Sequence, residues 1–429
     1  MKPTERLLLV LGGVLLAVGV LGLWRVCHGV DFPQLYIASH LWLERRPMFA
    51  PGLFHEGIIK YAPVALLNYT EACKLYYPPS AAMLMLPLAV FPFAVAKLLT
   101  FGVSIAVLMF GFWKMLEAFA PNMRLVGRVW LLAILCQTIT LRWAMESLQS
   151  APLTMGLLGL CLVALVQNRP NSVVGYTLIV CCLKPILGGP FLALLLIQRH
   201  FRLVGIIIAL LVIINGIGFL PVGGWAAVND YRQNIAGLDE CECNDPNPYH
   251  ANSTERTDFP YLLNAIQSDQ TLSGTIARML TLLAAVTIGV EVMRLRRRVF
   301  EREAQGVLLA PTICLMLLGT YHHNYDSCLL LVPLALYWCQ RQPLRRWASA
   351  WLFGFFGLWY AGFRPFFREI AQILSSWSGS GQSGIEKALG AGFLTCMLVA
   401  SLIVLHRYAS TEPNSQLEPT LPIEGAVGG

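Results

Sequence analysis

Four titratable side chains interrupt apolar sequence in a chain that otherwise carries few charges. Asp31 follows the first apolar run, Lys184 splits the run CCLKPILGGP, and His322 and His323 end another in GTYHHNYDSC. A carboxylate can act as a general base that takes a proton from an acceptor hydroxyl group. Lysine and histidine can donate hydrogen bonds to a phosphate or to a departing oxygen atom. These residue types are therefore suited to a transfer reaction at a hydroxyl group.

Each of these residues also has a purely structural interpretation. Asp31 could cap a helix, and Lys184 could extend to the lipid–water interface. The two histidines could end a helix without binding a ligand. No HExxH spacing or Cys/His quartet accompanies them, so the sequence does not favour a zinc site.

Three further polar residues stand beside apolar runs and leave the same choice open. Gln149, in SLQSAPLTMGLL, could bind a sugar hydroxyl or cap the helix that follows it. Tyr77 precedes two prolines, a pattern that suits the start of a helix. Arg364 could meet a phosphate or the head groups of lipids.

The composition predicts that these residues are positioned by helices in a membrane. Of the 429 residues, 56% are hydrophobic and 13% are charged, against about 25% charged in average soluble domains. Many apolar runs are long enough to cross a hydrocarbon core of ~30 Å, and they lack the alternation of a β-barrel. We predict an all-α, polytopic transmembrane bundle of about twelve spans, at residues 7–24, 93–117, 128–143, 150–167, 171–184, 186–198, 203–220, 274–292, 306–320, 326–340, 347–362 and 385–406. The fifth and sixth of these share a Lys-Pro break, and the apolar stretch 79–91 suits an interfacial or re-entrant helix.

Basic residues in short loops predict the orientation of this bundle. Loops such as RLRRRVFERE are placed inside, so both termini are cytoplasmic and two long loops, 25–92 and 221–273, are extracytoplasmic. The basic residues behind the net charge of +7 are scattered over short loops between helices, so this charge does not indicate a nucleic-acid partner. We expect one transmembrane domain over 1–410 and a disordered cytoplasmic tail over 411–429.

This orientation puts the polar residues at one level of the membrane. Asp31, Tyr77, Gln149, Lys184 and the histidine pair all fall at the outer ends of predicted helices, although up to 292 residues separate them in sequence. Convergence of titratable groups at one depth is the pattern expected of an interfacial active site. We therefore predict an integral protein of the cell's inner membrane with its active site on the extracytoplasmic side.

Five segments, in order, resemble the motifs of one enzyme family. They are DFPQLYIAS, YYPPSAAMLMLPLAVFP, SLQSAPLTMGLLGLCLVAL, CLKPILGGPFLALLL and TYHHNYDSCLLLVPLAL, between about residues 25 and 340. They are similar to those of glycosyltransferase family 87, the polyprenol-phosphate-mannose-dependent α-mannosyltransferases of GT-C architecture. The chain departs from that pattern at Tyr321, where an aspartate often precedes the two histidines.

The resemblance implies an inverting transferase that moves a sugar, often mannose, from a polyprenyl-phosphate-linked donor to an extracytoplasmic glycolipid or glycan. By the match, Asp31 would be the general base. Lys184 and the histidine pair, His322 and His323, would surround the donor phosphate, with Arg364 as a further candidate. Tyr36, Tyr77 and Gln149 would shape the pocket for the sugar or the acceptor.

Two other functions fit the same composition. A transporter or flippase for lipid-linked glycans would also place polar residues along a path, but on both sides and at the midplane of the membrane. A non-catalytic envelope assembly protein would tolerate loss of the polar residues together.

Asp31 has no acidic neighbour before Glu44, so we expect neither a metal nor another cofactor.

Overall fold

The computed structural model describes residues 2–29, 31–63, 74–237, 256, 258–266, 269–295, 302–319, 326, 329–338 and 382–410. Within these ranges the regular elements are helices. The all-α prediction is therefore confirmed for the described part of the chain.

Eight helices make up the first half of the structure, and two of them begin at a proline, whose fixed backbone angle suits a first helical turn. They are α1 (Pro3–Val26), α2 (Phe32–Leu43), α3 (Leu53–Tyr61), α4 (Pro79–Ala89), α5 (Phe93–Phe119), α6 (Leu125–Gln137), α7 (Ile139–Glu146) and α8 (Ala151–Val166).

The second half adds nine more helices within the described ranges. They are α9 (Pro170–Leu183), α10 (Pro185–Ile197), α11 (Phe201–Phe219), α12 (Trp225–Ala236), α13 (Phe259–Ile266), α14 (Gln270–Arg294), α15 (Arg302–Gly319), α16 (Leu331–Trp338) and α17 (Gln382–Ser410). A short 3-10 turn, Leu220–Val222, extends α11. The predicted break between the fifth and sixth spans is confirmed, because α9 ends at Leu183 and α10 begins at Pro185.

Four helices in the described part of the chain are long and apolar enough to cross a membrane alone: α1, α5, α11 with its 3-10 turn, and α14. A fifth candidate is the pair α6 and α7, which is bent by 59°. Shorter apolar helices, including α8 and α9, accompany them. The chain is thus a helical protein of membrane type, while the number of twelve spans and the sidedness stay predictions.

Helices α5 and α8 approach each other closely, and their contact depends on glycines. A Cβ atom on Gly111 would lie 2.1 Å from the carbonyl oxygen of Gly156, and one on Gly156 would lie 2.4 Å from that of Val107. Both distances are far below van der Waals contact, so only glycine allows these backbones to touch. Small residues at such positions are the usual means by which membrane helices pack closely. The contact packs the first half of α8, the helix that follows Gln149, against α5.

The two predicted extracytoplasmic segments contain helices of their own. Helices α2, α3 and α4 lie within 25–92, and α12 and α13 lie within 221–273. Met48, Phe49, Phe54 and other buried side chains of the first segment form a second apolar core, which Val222 and Ala227 join from the second segment. The two segments therefore pack against each other as a folded layer. The predicted tail 411–429 and the predicted span 347–362 lie outside the described residues.

Candidate active site

Asp31 is held in place by main-chain hydrogen bonds to the end of a distant helix. It is the residue before the first turn of α2, and its amide donates to the carbonyl oxygen of Ser147 at 3.1 Å. The amides of His28 and Gly29 both donate to the carbonyl oxygen of Glu146, at 2.9 and 2.8 Å. The connection between α1 and α2 is thereby fastened to the C-terminal end of α7.

Gln149 is directed to the same place by the way α7 ends. Leu148 has a positive φ of 51°, in the left-handed region that is unfavourable for a bulky side chain. The amide of Gln149 then donates back to the carbonyl oxygen of Ala144 at 2.8 Å, which closes the helix end as in a Schellman motif. Strained backbone of this kind is often found at functional sites. The strain here turns Gln149 toward Asp31.

A chain of hydrogen bonds links three of the predicted residues. The Gln149 amide nitrogen donates to Asp31 Oδ2 in a short hydrogen bond. The Tyr77 hydroxyl lies 3.4 Å from Gln149 Oε1, at the long end of hydrogen-bond distance. Gln149 is 5% exposed, so its amide orientation is fixed by these two neighbours. The arrangement holds the Asp31 carboxylate in one direction.

The surroundings shift the proton affinity of Asp31 and Tyr77. Burial raises the pKa of Asp31, and the hydrogen bond from Gln149 and the positive charge of Lys184 oppose that rise. The negative charge of Asp326 adds to the rise. Burial, with the charges of Asp31 and Asp326, raises the pKa of Tyr77 as well. Tyr77 therefore stays protonated as a donor, while Asp31 is a stronger proton acceptor than a carboxylate in water.

Tyr77 reaches the site because α4 is anchored to two other helices. Pro79 begins α4 two residues after Tyr77. The hydroxyl of Ser80 donates to the carbonyl oxygen of Cys182 in α9 at 3.2 Å, and its amide donates to Asn215 Oδ1 in α11 at 3.3 Å. These contacts position the N-terminal end of α4 beside the C-terminal end of α9.

Lys184 lies at that same end of α9, at the break before α10. The residue before a proline is disfavoured in helical conformation, and Lys184 has φ −148° and ψ 86°. Its Nζ atom lies 2.6 and 2.8 Å from the two carboxylate oxygens of Asp326. The side chain of Asp326 is 2% exposed and that of Lys184 is 16% exposed. The lysine therefore forms a largely buried ion pair, where the sequence had left open a phosphate contact or an interfacial position.

An apolar pocket lies next to this ion pair. Val180 and Leu187, which flank Lys184 in sequence, line it together with Leu329, three residues after Asp326. The space between atoms amounts to about 470 Å³, part of it open to the outside. Thr154 contributes a hydroxyl that has no hydrogen-bond partner within the described ranges. The lining is therefore mainly apolar, and it comes within about one helical turn of Lys184 on either side.

Tyr36 occupies a different environment. It is 4% exposed and packs edge-on against His40 and Phe93, with ring centroids 4.7 and 5.4 Å away. Its hydroxyl donates to the carbonyl oxygen of Phe91 at 2.7 Å. These contacts join α2 to the segment before α5, and the predicted role of Tyr36 in a sugar pocket stays a prediction.

The remaining predicted residues are not described. His322, His323 and Arg364, assigned to the donor phosphate, all lie outside the described residues. Among the residues the structure does describe, no three His, Cys, Asp or Glu side chains come close enough to hold a metal ion.

Asp326 was missing from the predicted site residues. A signal for it existed, since it is an acidic residue between two apolar runs and only three positions after His323. What the sequence does not contain is its partner, because 142 residues separate Asp326 from Lys184. The sequence favours a functional role for the two histidines, whereas the contact with Lys184 that the structure describes is made by Asp326.

The fold and this cluster define a membrane-type helical protein in which a carboxylate, an amide and a largely buried ion pair lie together at the ends of helices. The family model for glycosyltransferase family 87 matches residues 75–320, more than half of the chain. The chain belongs to glycosyltransferase family 87. No curated protein matches it. It is therefore a glycosyltransferase, and its reaction requires a sugar donor and an acceptor.

The matched range covers part of the cluster. Tyr77, Gln149 and Lys184 lie inside it, while Asp31 precedes it and Asp326 follows it. The family assignment therefore does not by itself define the roles of the two carboxylates, and these have to be argued from their surroundings.

Proposed function

We propose that the protein transfers a sugar, with mannose the first candidate, from a polyprenyl-phosphate-linked donor to an extracytoplasmic glycolipid or glycan. The observation that carries this proposal is the hydrogen bond from Gln149 to the half-buried carboxylate of Asp31. A carboxylate whose pKa is raised and whose direction is fixed has the properties of a general base. The family supplies the reaction class, and this carboxylate supplies the group that starts it.

In the proposed reaction, Asp31 removes the proton from an acceptor hydroxyl as its oxygen attacks the anomeric carbon of the donor sugar. The new carbon–oxygen bond forms on the face opposite the phosphate, so the configuration at that carbon inverts. The bond between the anomeric carbon and the phosphate oxygen breaks, and its electron pair leaves with the polyprenyl phosphate. The proton ends on Asp31 and passes to water before the next cycle.

The departing phosphate gains negative charge, and a preorganised cation beside it would lower the barrier. Lys184 is the cation of the described cluster, and its positive charge acts on Asp31. It is therefore the first candidate for stabilising the departing phosphate. Its ammonium group is paired with Asp326 in the structure. The histidine pair and Arg364 are the further donors that the sequence predicts for the phosphate.

A lipid-linked donor is favoured over a nucleotide sugar by the surroundings of Lys184. The pocket beside it is lined mostly by aliphatic and aromatic side chains, among them Leu158, Phe191 and Met316. Such a lining suits a hydrocarbon chain, and two of its residues, Val180 and Leu187, lie about one helical turn from Lys184, the proposed contact for the phosphate. The hydroxyl of Thr154 is a polar group of the same lining that could serve the ligand.

The test uses purified protein in lipid nanodiscs with radiolabelled polyprenyl phosphate mannose and an envelope-lipid extract. Wild-type protein should move label to a new glycolipid, and Asp31→Asn should reduce that rate by about 10²–10⁴-fold, the usual contribution of a general base. Equal rates for the two proteins would remove Asp31 from the mechanism. If lipid-linked sugars crossed the bilayer unchanged and no product formed, the transporter function would replace this proposal.

A further inference from the structure

The ion pair between Lys184 and Asp326 has one fixed and one adjustable partner. Both carboxylate oxygens of Asp326 contact Lys184 Nζ, at 2.6 and 2.8 Å, and the aspartate is almost fully buried. An aspartate side chain has only two rotatable bonds, and here it cannot turn toward water. The lysine ammonium is carried on a flexible four-carbon stem and keeps 16% of its side-chain surface exposed. A ligand at the site would therefore attract the ammonium group while Asp326 stays in place.

The charge of the described cluster opposes an anionic ligand. Lys184 contributes one positive charge, and Asp326 and ionised Asp31 contribute one negative charge each, so the sum is one negative charge. Tyr77 and Gln149 add no charge. A donor phosphate that approaches Lys184 therefore has to compete with a carboxylate that already holds the ammonium group. Breaking a buried ion pair is costly in itself, which weakens the binding of the phosphate further.

The same competition acts on the product. The spent carrier is a phosphate monoester, which carries more negative charge than the phosphodiester donor. Without a competitor it would bind Lys184 more tightly than the donor does, and turnover would stall on the product. Asp326 offers the ammonium group an alternative partner at hydrogen-bond distance as soon as transfer is complete.

We propose that Asp326 is a positioning residue that competes with phosphate for Lys184 and thereby drives release of the spent polyprenyl phosphate. This inference rests on the proposed function, because it presumes a phosphate-bearing carrier. It assigns to Asp326 no part in bond making or bond breaking.

The experiment measures binding of polyprenyl phosphate, without a sugar, to the full-length protein in nanodiscs. Asp326→Asn keeps the shape of the side chain and removes its charge. The variant should bind polyprenyl phosphate about tenfold more tightly than the wild type, a gain of ~1.4 kcal/mol, and polyprenyl phosphate should inhibit its transfer reaction at a correspondingly lower concentration. A merely structural defect would weaken binding instead, so unchanged or weaker binding overturns the proposal.

The matched control is Glu44→Gln, which frees another lysine from a carboxylate. Glu44 contacts Lys60 Nζ at 2.6 Å in an ion pair that is partly open to solvent, away from the cluster around Asp31. Its loss should leave the affinity for polyprenyl phosphate unchanged. Tighter binding in this control as well would show a general effect of net charge and would also overturn the proposal.

If Asp326→Asn does not fold, Asp326→Ser removes the same charge, leaves a hydroxyl beside Lys184 and should show the same tenfold gain. A second comparison uses Lys184→Met, in which no ammonium group is left to compete for. Adding Asp326→Asn to Lys184→Met should therefore leave the affinity for polyprenyl phosphate unchanged, and a tenfold gain there would show direct repulsion of the phosphate by Asp326 and overturn the proposal. If wild-type protein neither binds polyprenyl phosphate nor transfers sugar, the proposed function itself is contradicted. If the wild type does both, the Asp326 comparisons alone decide this inference.

Discussion

The hydrogen bond from Gln149 to Asp31 leads to a prediction about pH. Replacing Gln149 with leucine keeps a side chain of similar size and removes the amide that donates to the carboxylate. That donor stabilises the ionised form of Asp31 against the effect of burial, which raises its pKa. Gln149→Leu should therefore raise the pKa of Asp31 further. Because a base acts only when ionised, the acid limb of the activity profile should move to higher pH.

The size of the shift follows from the kind of hydrogen bond that is lost. A hydrogen bond to a charged group contributes about 1.5–3 kcal/mol, and one pKa unit corresponds to about 1.36 kcal/mol. The acid limb of kcat/KM should therefore move upward by about 1–2 pH units. Above its new pKa, Asp31 is ionised again and kcat/KM reaches a plateau. A lost contact with the sugar would lower that plateau, but it would not change the pH at which the acid limb lies.

The assay is the initial rate of sugar transfer in nanodiscs between about pH 4 and pH 9, at donor concentrations well below KM. Gln137→Leu is the matched control, since its amide donates to the carbonyl oxygen of Leu15 at 3.3 Å and not to a carboxylate. The control should keep the wild-type limb. A limb that stays in place in Gln149→Leu, or moves to lower pH, would refute the view that Asp31 ionisation governs the reaction.

Two other predictions concern packing and the histidine pair. Gly156→Ala should lower the free energy of unfolding by about 1–3 kcal/mol, a typical cost of overpacking, because its Cβ atom would lie 2.4 Å from the Val107 carbonyl oxygen. Gly102→Ala, with no neighbouring atom within 4 Å, is its control, and equal thermal midpoints for the two variants in detergent would disprove the argument. Replacing both His322 and His323 with alanine should reduce turnover while the protein stays folded, as measured by transfer rate and size-exclusion profile. Unchanged turnover would remove their predicted role at the phosphate.

The elements that carry the site could be predicted from local sequence, since proline marks them. The helices that start at Pro79, Pro170 and Pro185 each begin at or next to the expected residue, and the break at Lys184 follows from the proline after it. Helix α2 is different, because its twelve residues are too few to span a membrane and the sequence therefore predicts a loop there. Its apolar sequence FPQLYIASHLWL is instead explained by burial in a folded layer.

The contacts within the site could be predicted only in part. A common membrane level was expected for Asp31, Tyr77, Gln149 and Lys184, and the structure does bring these side chains into one electrostatic cluster. The partner of Lys184 was not predicted, because an ion pair between residues 142 positions apart depends on tertiary packing. Local sequence indicates that a buried lysine needs compensation, but it does not indicate which acid provides it.

The way in which Asp31 is fastened has a consequence for how such enzymes diverge. Its position depends on the amides of residues 28, 29 and 31 and on the carbonyl oxygens of residues 146 and 147. Every residue type has a carbonyl oxygen, and every type except proline has the amide. Substitutions at residues 28, 146 and 147 can therefore accumulate without moving the carboxylate, so long as residue 28 keeps its amide and the glycine conformation at residue 29, with φ 71°, is preserved. Distant enzymes could share this geometry while keeping few letters in common around it, and comparison of backbone hydrogen bonds would recognise them where comparison of sequences does not.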